Sequence, residues 1–101
     1  EVAHLLLGCV GRLESPDELG VIVGVTSLGR HPESTIFFDD VTVSRRHAEA
    51  TFDGASVSVR DVGSLNGTYV NQKQVDAPTE LRDGDVLQIG KFKLMFFRGE
   101  G

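Results

Sequence analysis

The stretch His47-Ala48-Glu49-Ala50-Thr51-Phe52-Asp53-Gly54-Ala55-Ser56-Val57-Ser58-Val59-Arg60 reads as two strands joined by a turn. Ala48, Ala50 and Phe52 fall on one face, Glu49 and Thr51 on the other, which is the period of two of a half-buried strand. Asp53-Gly54 supplies the two residues of a tight hairpin turn, in which both positions take φ > 0. Val57 and Val59 then continue the inward face, with Ser56, Ser58 and Arg60 outward. Arg60 is thereby placed on a strand, away from the loops discussed below.

The same pattern extends outward from this hairpin. Val21–Leu28 is rich in β-branched residues and reads as a strand, and Ile36–Phe38 as a short one. Ala3–Leu13 fits a strand that would pair with Val21–Leu28 through the polar loop Glu14–Glu18. Thr68–Val70 and Val86–Ile89 follow. The last strand alternates Phe92, Leu94 and Phe96 with Lys93 and Met95. A helix competes only at Ser44, where the Glu or Gln of a capping box is replaced by His47. Roughly ten short strands, with a turn every eight to twelve residues, make the chain all-β and a β-sandwich its architecture.

Composition bounds the function. One hundred and one residues, 40% of them hydrophobic, fill a single domain with a core of its own. The chain starts at Glu1 and reads as a piece of a longer protein. Ten basic residues against fifteen acidic ones give −5, a poor balance for a general nucleic-acid or membrane binder. The single cysteine, Cys9, has no internal partner, which favours a reducing, cytoplasmic setting.

Enzyme readings fail on spacing. Gly24-Val25-Thr26-Ser27-Leu28-Gly29 begins like a phosphate-binding loop but continues Arg30-His31 where Lys and Ser or Thr are required. His4, His31, His47 and Cys9 lie too far apart for a zinc motif, so no metal or cofactor is expected. Ser44 and His47 can be drawn as part of a hydrolase triad, but the Gly-x-Ser-x-Gly elbow is missing.

The polar and basic residues gather instead in three loop clusters: Gly29-Arg30-His31-Pro32, Val43-Ser44-Arg45-Arg46-His47 and Gly63-Ser64-Leu65-Asn66-Gly67-Thr68. Singly, each has a plain structural reading. An arginine is a solvated surface group, Ser44 a turn or cap residue, Asn66-Gly67 a turn, and His47 a hydrogen-bonder that locks the Ser44 loop. Converged at one end of a sandwich, they would offer guanidinium forks, a hydroxyl and an amide, a set that matches one phosphate group on a peptide.

Gly29-Arg30, then Ser44-Arg45-Arg46-His47, then Asn66-Gly67-Thr68-Tyr69-Val70-Asn71 resemble the signature of the forkhead-associated (FHA) domain. Arg30 to Ser44 is fourteen residues and His47 to Asn66 nineteen, close to the family's spacing, and the resemblance covers roughly residues 19–97. It implies an FHA-type sandwich of about eleven strands whose loops, at one end, bind phosphothreonine peptides. It implies that Arg30 and Ser44 contact the phosphate, that Arg45 lies close to it, and that Asn66 bonds the peptide main chain. Gly29, His47, Gly67 and Asn71 match structural positions. Leu65 stands where many members carry a phosphate-binding Thr, and Ser64 is the nearest hydroxyl to replace it. Longer stretches, Asp40–Glu49 and Asp61–Asn71 among them, are similar to an actinobacterial group of the glycogen accumulation regulator and oxoglutarate dehydrogenase inhibitor type. In that group a phosphorylatable N-terminal tail docks into the domain's own pocket; no such tail is read ahead of the first expected strand here. The resemblance implies a non-enzymatic, monomeric adaptor in Ser/Thr kinase signalling, with kinases or their substrates as partners. The alternative is a phosphorylation-switched regulator that binds a metabolic enzyme directly.

Overall fold

The computed structural model describes residues 11–14, 19–22 and 24–98. Eleven strands follow one another: β1 (Gly11–Glu14), β2 (Leu19–Ile22), β3 (Val25–Gly29), β4 (Ile36–Phe37), β5 (Ala48–Phe52), β6 (Val57–Asp61), β7 (Thr68–Val70), β8 (Lys73–Gln74), β9 (Thr79–Leu81), β10 (Val86–Ile89) and β11 (Phe92–Arg98). They form two sheets, with strand orders β2-β1-β11-β10-β7-β8 and β4-β3-β5-β6-β9. Every pairing is antiparallel except β3 with β4. The all-β sandwich expected from the alternation is what the chain forms.

The core is the alternation made physical. Ala48, Ala50, Val57 and Val59 from one sheet and Leu87, Ile89, Leu94 and Phe96 from the other are all buried, with Phe38 at 0% exposure among them. Burying a side chain of this size stabilises by about 1.5–3 kcal/mol. Phe38 also stacks on Phe92, with ring centroids 4.9 Å apart.

Two expectations change. The expected strand Val21–Leu28 is two strands, β2 in one sheet and β3 in the other. Gly24, at φ +62°, lies between them, in a conformation that an L side chain resists. β2 does pair β1 as expected, with Gly11 opposite Ile22. The rest of the expected first strand, residues 3–10, lies outside the described residues. The β5–β6 hairpin closes through four residues rather than two. Only Gly54 has positive φ, at 101°, and Asp53 Oδ1 instead accepts the Ala55 and Ser56 N–H groups at 2.9 Å each.

Topology sorts the loops by end. The Asp53–Ser56 turn and the β9–β10 turn share one end, where Arg98 donates to the Ala55 carbonyl at 2.7 Å and its N–H to Asp83 at 2.8 Å. The segments 30–47 and 62–67 and the Gly90-Lys91 turn meet at the other.

Candidate functional site

The three sequence clusters converge at that second end. The Arg30 N–H donates to the Ser44 carbonyl at 2.9 Å and the His31 N–H to the Arg45 carbonyl at 3.2 Å. The contact is so close that a Cβ on Gly29 would stand 2.2 Å from the Arg45 carbonyl oxygen. Only glycine allows the first two clusters to lie together.

His47 joins the second cluster to the third. It is wholly buried. Its Nδ1 accepts the Ser44 N–H at 3.0 Å, so the neutral ring carries its proton on Nε2 and donates it to the Gly67 carbonyl at 2.8 Å. Both ring nitrogens are thus committed, and neither serves as a base for the Ser44 hydroxyl. The triad fails on geometry as well as on motif.

Ser44 Oγ accepts the Leu65 N–H at 2.9 Å. That bond fixes the oxygen and uses one lone pair, leaving the hydroxyl hydrogen available to an incoming acceptor. Arg30 is half-buried; its Nε donates to the Val43 carbonyl at 3.0 Å, which fixes the plane of the guanidinium and leaves its two terminal amino groups unspent by that bond. No carboxylate among the described residues lies within 4.0 Å of Arg30, Arg45 or Arg46.

Asn66 is exposed, and its Nδ2 donates to the Thr42 carbonyl at 2.9 Å. Thr42 is itself braced. Its hydroxyl donates to Asp40 Oδ1 at 2.6 Å and accepts the Lys91 N–H at 3.0 Å, while Lys91 Nζ sits 2.9 Å from Asp40 Oδ2. The Thr42 hydroxyl and N–H, with Lys91, hold the Asp40 carboxyl at about 2, below the ordinary 3.8.

Ser64 takes an internal role instead of replacing the missing threonine. Its O–H donates to Asp61 Oδ2 and its oxygen accepts the Gly67 N–H at 2.9 Å, so its one donor is spent. Asp61 also accepts the Gly63 and Ser64 N–H groups, at 2.7 and 2.9 Å, and the Thr68 hydroxyl at 2.7 Å. Burial pushes the Asp61 carboxyl up, but these donors outweigh it and the net shift is downward. Asp61, Thr42, Asp40 and Lys91 escaped the sequence reading of the site. The signal for Asp61 was present in Asp61-x-Gly63-Ser64, the spacing of an Asx turn.

Gly67, at φ +87°, and Asn71, at φ 51°, occupy left-handed positions. Asn71 is structural: its N–H donates to the Val86 carbonyl at 2.8 Å, and its Oδ1 accepts the Val86 N–H at 3.0 Å. Arg45 and Arg46 are exposed and line an open cleft over the outer face of β3, β5 and β6. Arg60, expected far from the loops, lines that same cleft, held by Glu49 at 2.7 Å.

Comparison with known proteins places this geometry. The FHA domain model matches residues 26–90. The chain is 62% identical over 74 residues to the glycogen accumulation regulator GarA of Mycolicibacterium smegmatis, covering 73% of this chain and 46% of that one. It is 58% identical over 74 residues to the oxoglutarate dehydrogenase inhibitor of Corynebacterium jeikeium, covering 73% and 51%. The chain therefore spans about half the length of the curated relatives it matches. Among solved structures, an FHA domain from a study of phosphothreonine-dependent FHA interactions superposes with a TM-score of 0.78 at 30% identity, over 87% of this chain and 93% of that one. With the Gly29-Arg30, Ser44–His47 and Asn66-Gly67 segments laced together at one end of the sandwich, this chain belongs to the FHA domain family.

Proposed function

We propose that the chain is a non-catalytic module that binds phosphothreonine-containing peptides of Ser/Thr kinases or their substrates. The observation that carries the reading is the pairing of Arg30 with Ser44. One side chain offers a guanidinium oriented by the Val43 carbonyl and free of any carboxylate among the described residues. The other offers a hydroxyl whose oxygen is pinned by the Leu65 N–H. Arg30 and Ser44 hold the phosphate, with Arg45 at its edge. Asn66, fixed on Thr42, bonds the peptide main chain. Such a module works as a monomer in the cytoplasm, without a cofactor.

The test is calorimetric titration with matched phosphothreonine and unphosphorylated peptides. Arg30→Ala should lose roughly ten- to a hundredfold in affinity, since hydrogen bonds to charged groups contribute about 1.5–3 kcal/mol. Arg30→Lys should recover only part of it, because an ammonium cannot present the planar fork. Arg82→Ala, at the far end of the sandwich, should change little. Equal affinity for both peptides, or a full-strength Arg30→Ala, would overturn the reading.

A second reading is favoured by the names of the relatives, a regulator and an inhibitor at about 60% identity. In it the chain binds a metabolic enzyme directly, without phosphate, and phosphorylation switches the interaction off. Binding to a dephosphorylated enzyme, undiminished by competing phosphopeptide, would support it over the first.

A further inference from the structure

We propose that Asn66 is a site of spontaneous deamidation, held in check by two hydrogen bonds of the loop cluster, and that its conversion to aspartate or isoaspartate switches phosphopeptide binding off. The chemistry stands on the geometry of Asn66-Gly67 alone. Its consequence for binding rests on the phosphopeptide reading.

An asparagine is lost when the backbone nitrogen of the next residue, once deprotonated by solvent, attacks the side-chain Cγ. The new N–Cγ bond closes a cyclic imide, and the Cγ–Nδ2 bond breaks, with Nδ2 leaving as ammonia. Water then opens the imide at either carbonyl, giving aspartate or isoaspartate. The sum is amide plus water to acid plus ammonia. A following glycine favours the attack, because no Cβ shields its nitrogen. The chain has two asparagines, Asn66 and Asn71, and only Asn66 precedes a glycine. Asn66 is exposed, so water reaches it.

The fold restrains both reacting groups. Gly67 is buried, and its N–H, the nucleophile, donates to Ser64 Oγ at 2.9 Å. A hydroxyl oxygen is too weak a base to take that proton, and its own hydrogen is committed to Asp61 Oδ2. The other restraint comes from a second loop: Asn66 Nδ2 donates to the Thr42 carbonyl at 2.9 Å. Ring closure needs the nitrogen stripped of its proton and the side chain swung onto it, so both bonds must open first. Asn71 is the internal control. It is followed by Gln72, and its Nδ2 and Oδ1 are held by Asp85 and the Val86 N–H.

The products differ from Asn66 where it matters. A carboxylate at position 66 has no hydrogen for the Thr42 carbonyl and sets a negative oxygen against it. On the phosphopeptide reading it also adds a negative charge beside an incoming dianion. Isoaspartate lengthens the main chain next to Gly67, whose carbonyl holds the buried His47 ring at 2.8 Å.

The experiment ages the folded chain at mildly alkaline pH and follows deamidation by mass spectrometry, with fragment ions separating Asn66 from Asn71. The same series is run in guanidinium chloride and on three variants, with melts to show that they are folded. Ser64→Ala releases the Gly67 N–H; Gly90→Ala displaces Thr42, since its Cβ would stand 2.5 Å from Thr42 Oγ1; Asn66→Gln removes the reacting residue. The exchange of NH for O should accumulate at Asn66 and not at Asn71, fastest in denaturant. Ser64→Ala and Gly90→Ala should each age about two- to tenfold faster than the folded parent, the effect of one net hydrogen bond. Asn66→Gln should gain nothing at that position, and saturating phosphopeptide should slow the parent. The deamidated fraction, separated by ion exchange, should bind phosphothreonine peptide at least about tenfold more weakly than the intact chain. The proposal is overturned if the folded parent ages at Asn66 as fast as in denaturant, if neither folded variant is faster than the parent, or if the deamidated fraction binds as tightly as the intact one. If the intact chain binds phosphorylated and plain peptides alike, the phosphopeptide reading has failed and the switch with it, while the mass gains still decide the site.

Discussion

At the scale of single residues, two buried polar groups carry opposite consequences. His47 is satisfied on both nitrogens and connects the Ser44 loop to Gly67. Removing it leaves a buried N–H and a carbonyl without partners, each costing about 1–3 kcal/mol. His47→Ala should therefore lower the melting temperature and the denaturation midpoint clearly, and weaken phosphopeptide binding only through the loosened loop. Retained stability with lost affinity would instead make His47 a direct contact. Thr26, at 1% exposure on β3, has a hydroxyl with no hydrogen-bond partner. It faces the core, where Val would fill nearly the same volume. Thr26→Val should stabilise by about 1 kcal/mol, from the desolvation cost of a buried hydroxyl, and leave binding unchanged. A lower midpoint in a urea melt would show that the hydroxyl has a role in the fold. Neither fate is readable from residue type. The histidine was legible as structural because it follows the Ser44 loop and precedes an alternating stretch. The burial of Thr26 depends on the turn at Gly24, which sequence alternation ran straight through.

At the scale of elements, what was legible is what obeys a period. β5, β6 and β11 alternate over five or more residues and were read correctly by face. β8 and β9, of two and three residues, show no such repeat, and both residues of β8 are exposed, so nothing in their hydrophobicity marks them. The end where the loops converge was legible in the three clusters themselves but not in its braces, because Thr42, Asp40 and Lys91 act across long sequence separations. Those braces make an element-scale expectation. Gly90 begins the turn from β10 to β11 at φ +57°, and a Cβ there would stand 2.5 Å from Thr42 Oγ1 and 2.7 Å from its carbonyl oxygen. Gly90→Ala must push Thr42 aside, and with it the carbonyl that orients Asn66. Peptide affinity should fall by about tenfold, the equivalent of 1.4 kcal/mol. Binding of free phosphothreonine, which on the proposed reading does not involve Asn66, should change much less. Equal losses for both ligands would show that the turn supports the whole loop cluster rather than Asn66.

At the scale of the whole molecule, the titrating groups separate binding from folding along the pH axis. Asp40 is lowered to about 2, chiefly by the Thr42 hydroxyl, and Asp53 by the Ser56 and Ala55 N–H groups. Asp61 is lowered on balance, its donors outweighing its burial. A carboxyl whose value is lower folded than unfolded contributes stability above its unfolded value, here 3.8. That contribution disappears as pH falls through the folded value. All three contributions are therefore intact at pH 5 and fade only below about pH 4. The ligand behaves otherwise. The second ionisation of phosphothreonine lies near pH 6, and arginine does not titrate in this range. If Arg30 and Ser44 read the dianion, affinity should drop by about tenfold between pH 7.5 and pH 5, as the dianion fraction falls. The melting temperature from these carboxylates should hold across the same interval. Calorimetric titration at half-unit steps, with a melt at each step, measures both curves. A phosphonate analogue with a different second ionisation should move the affinity curve by its own difference and leave the melting curve untouched. Affinity that stays flat down to pH 5 would mean that the monoanion suffices. Affinity and melting temperature falling together, regardless of analogue, would place the titration in the protein rather than in the phosphate.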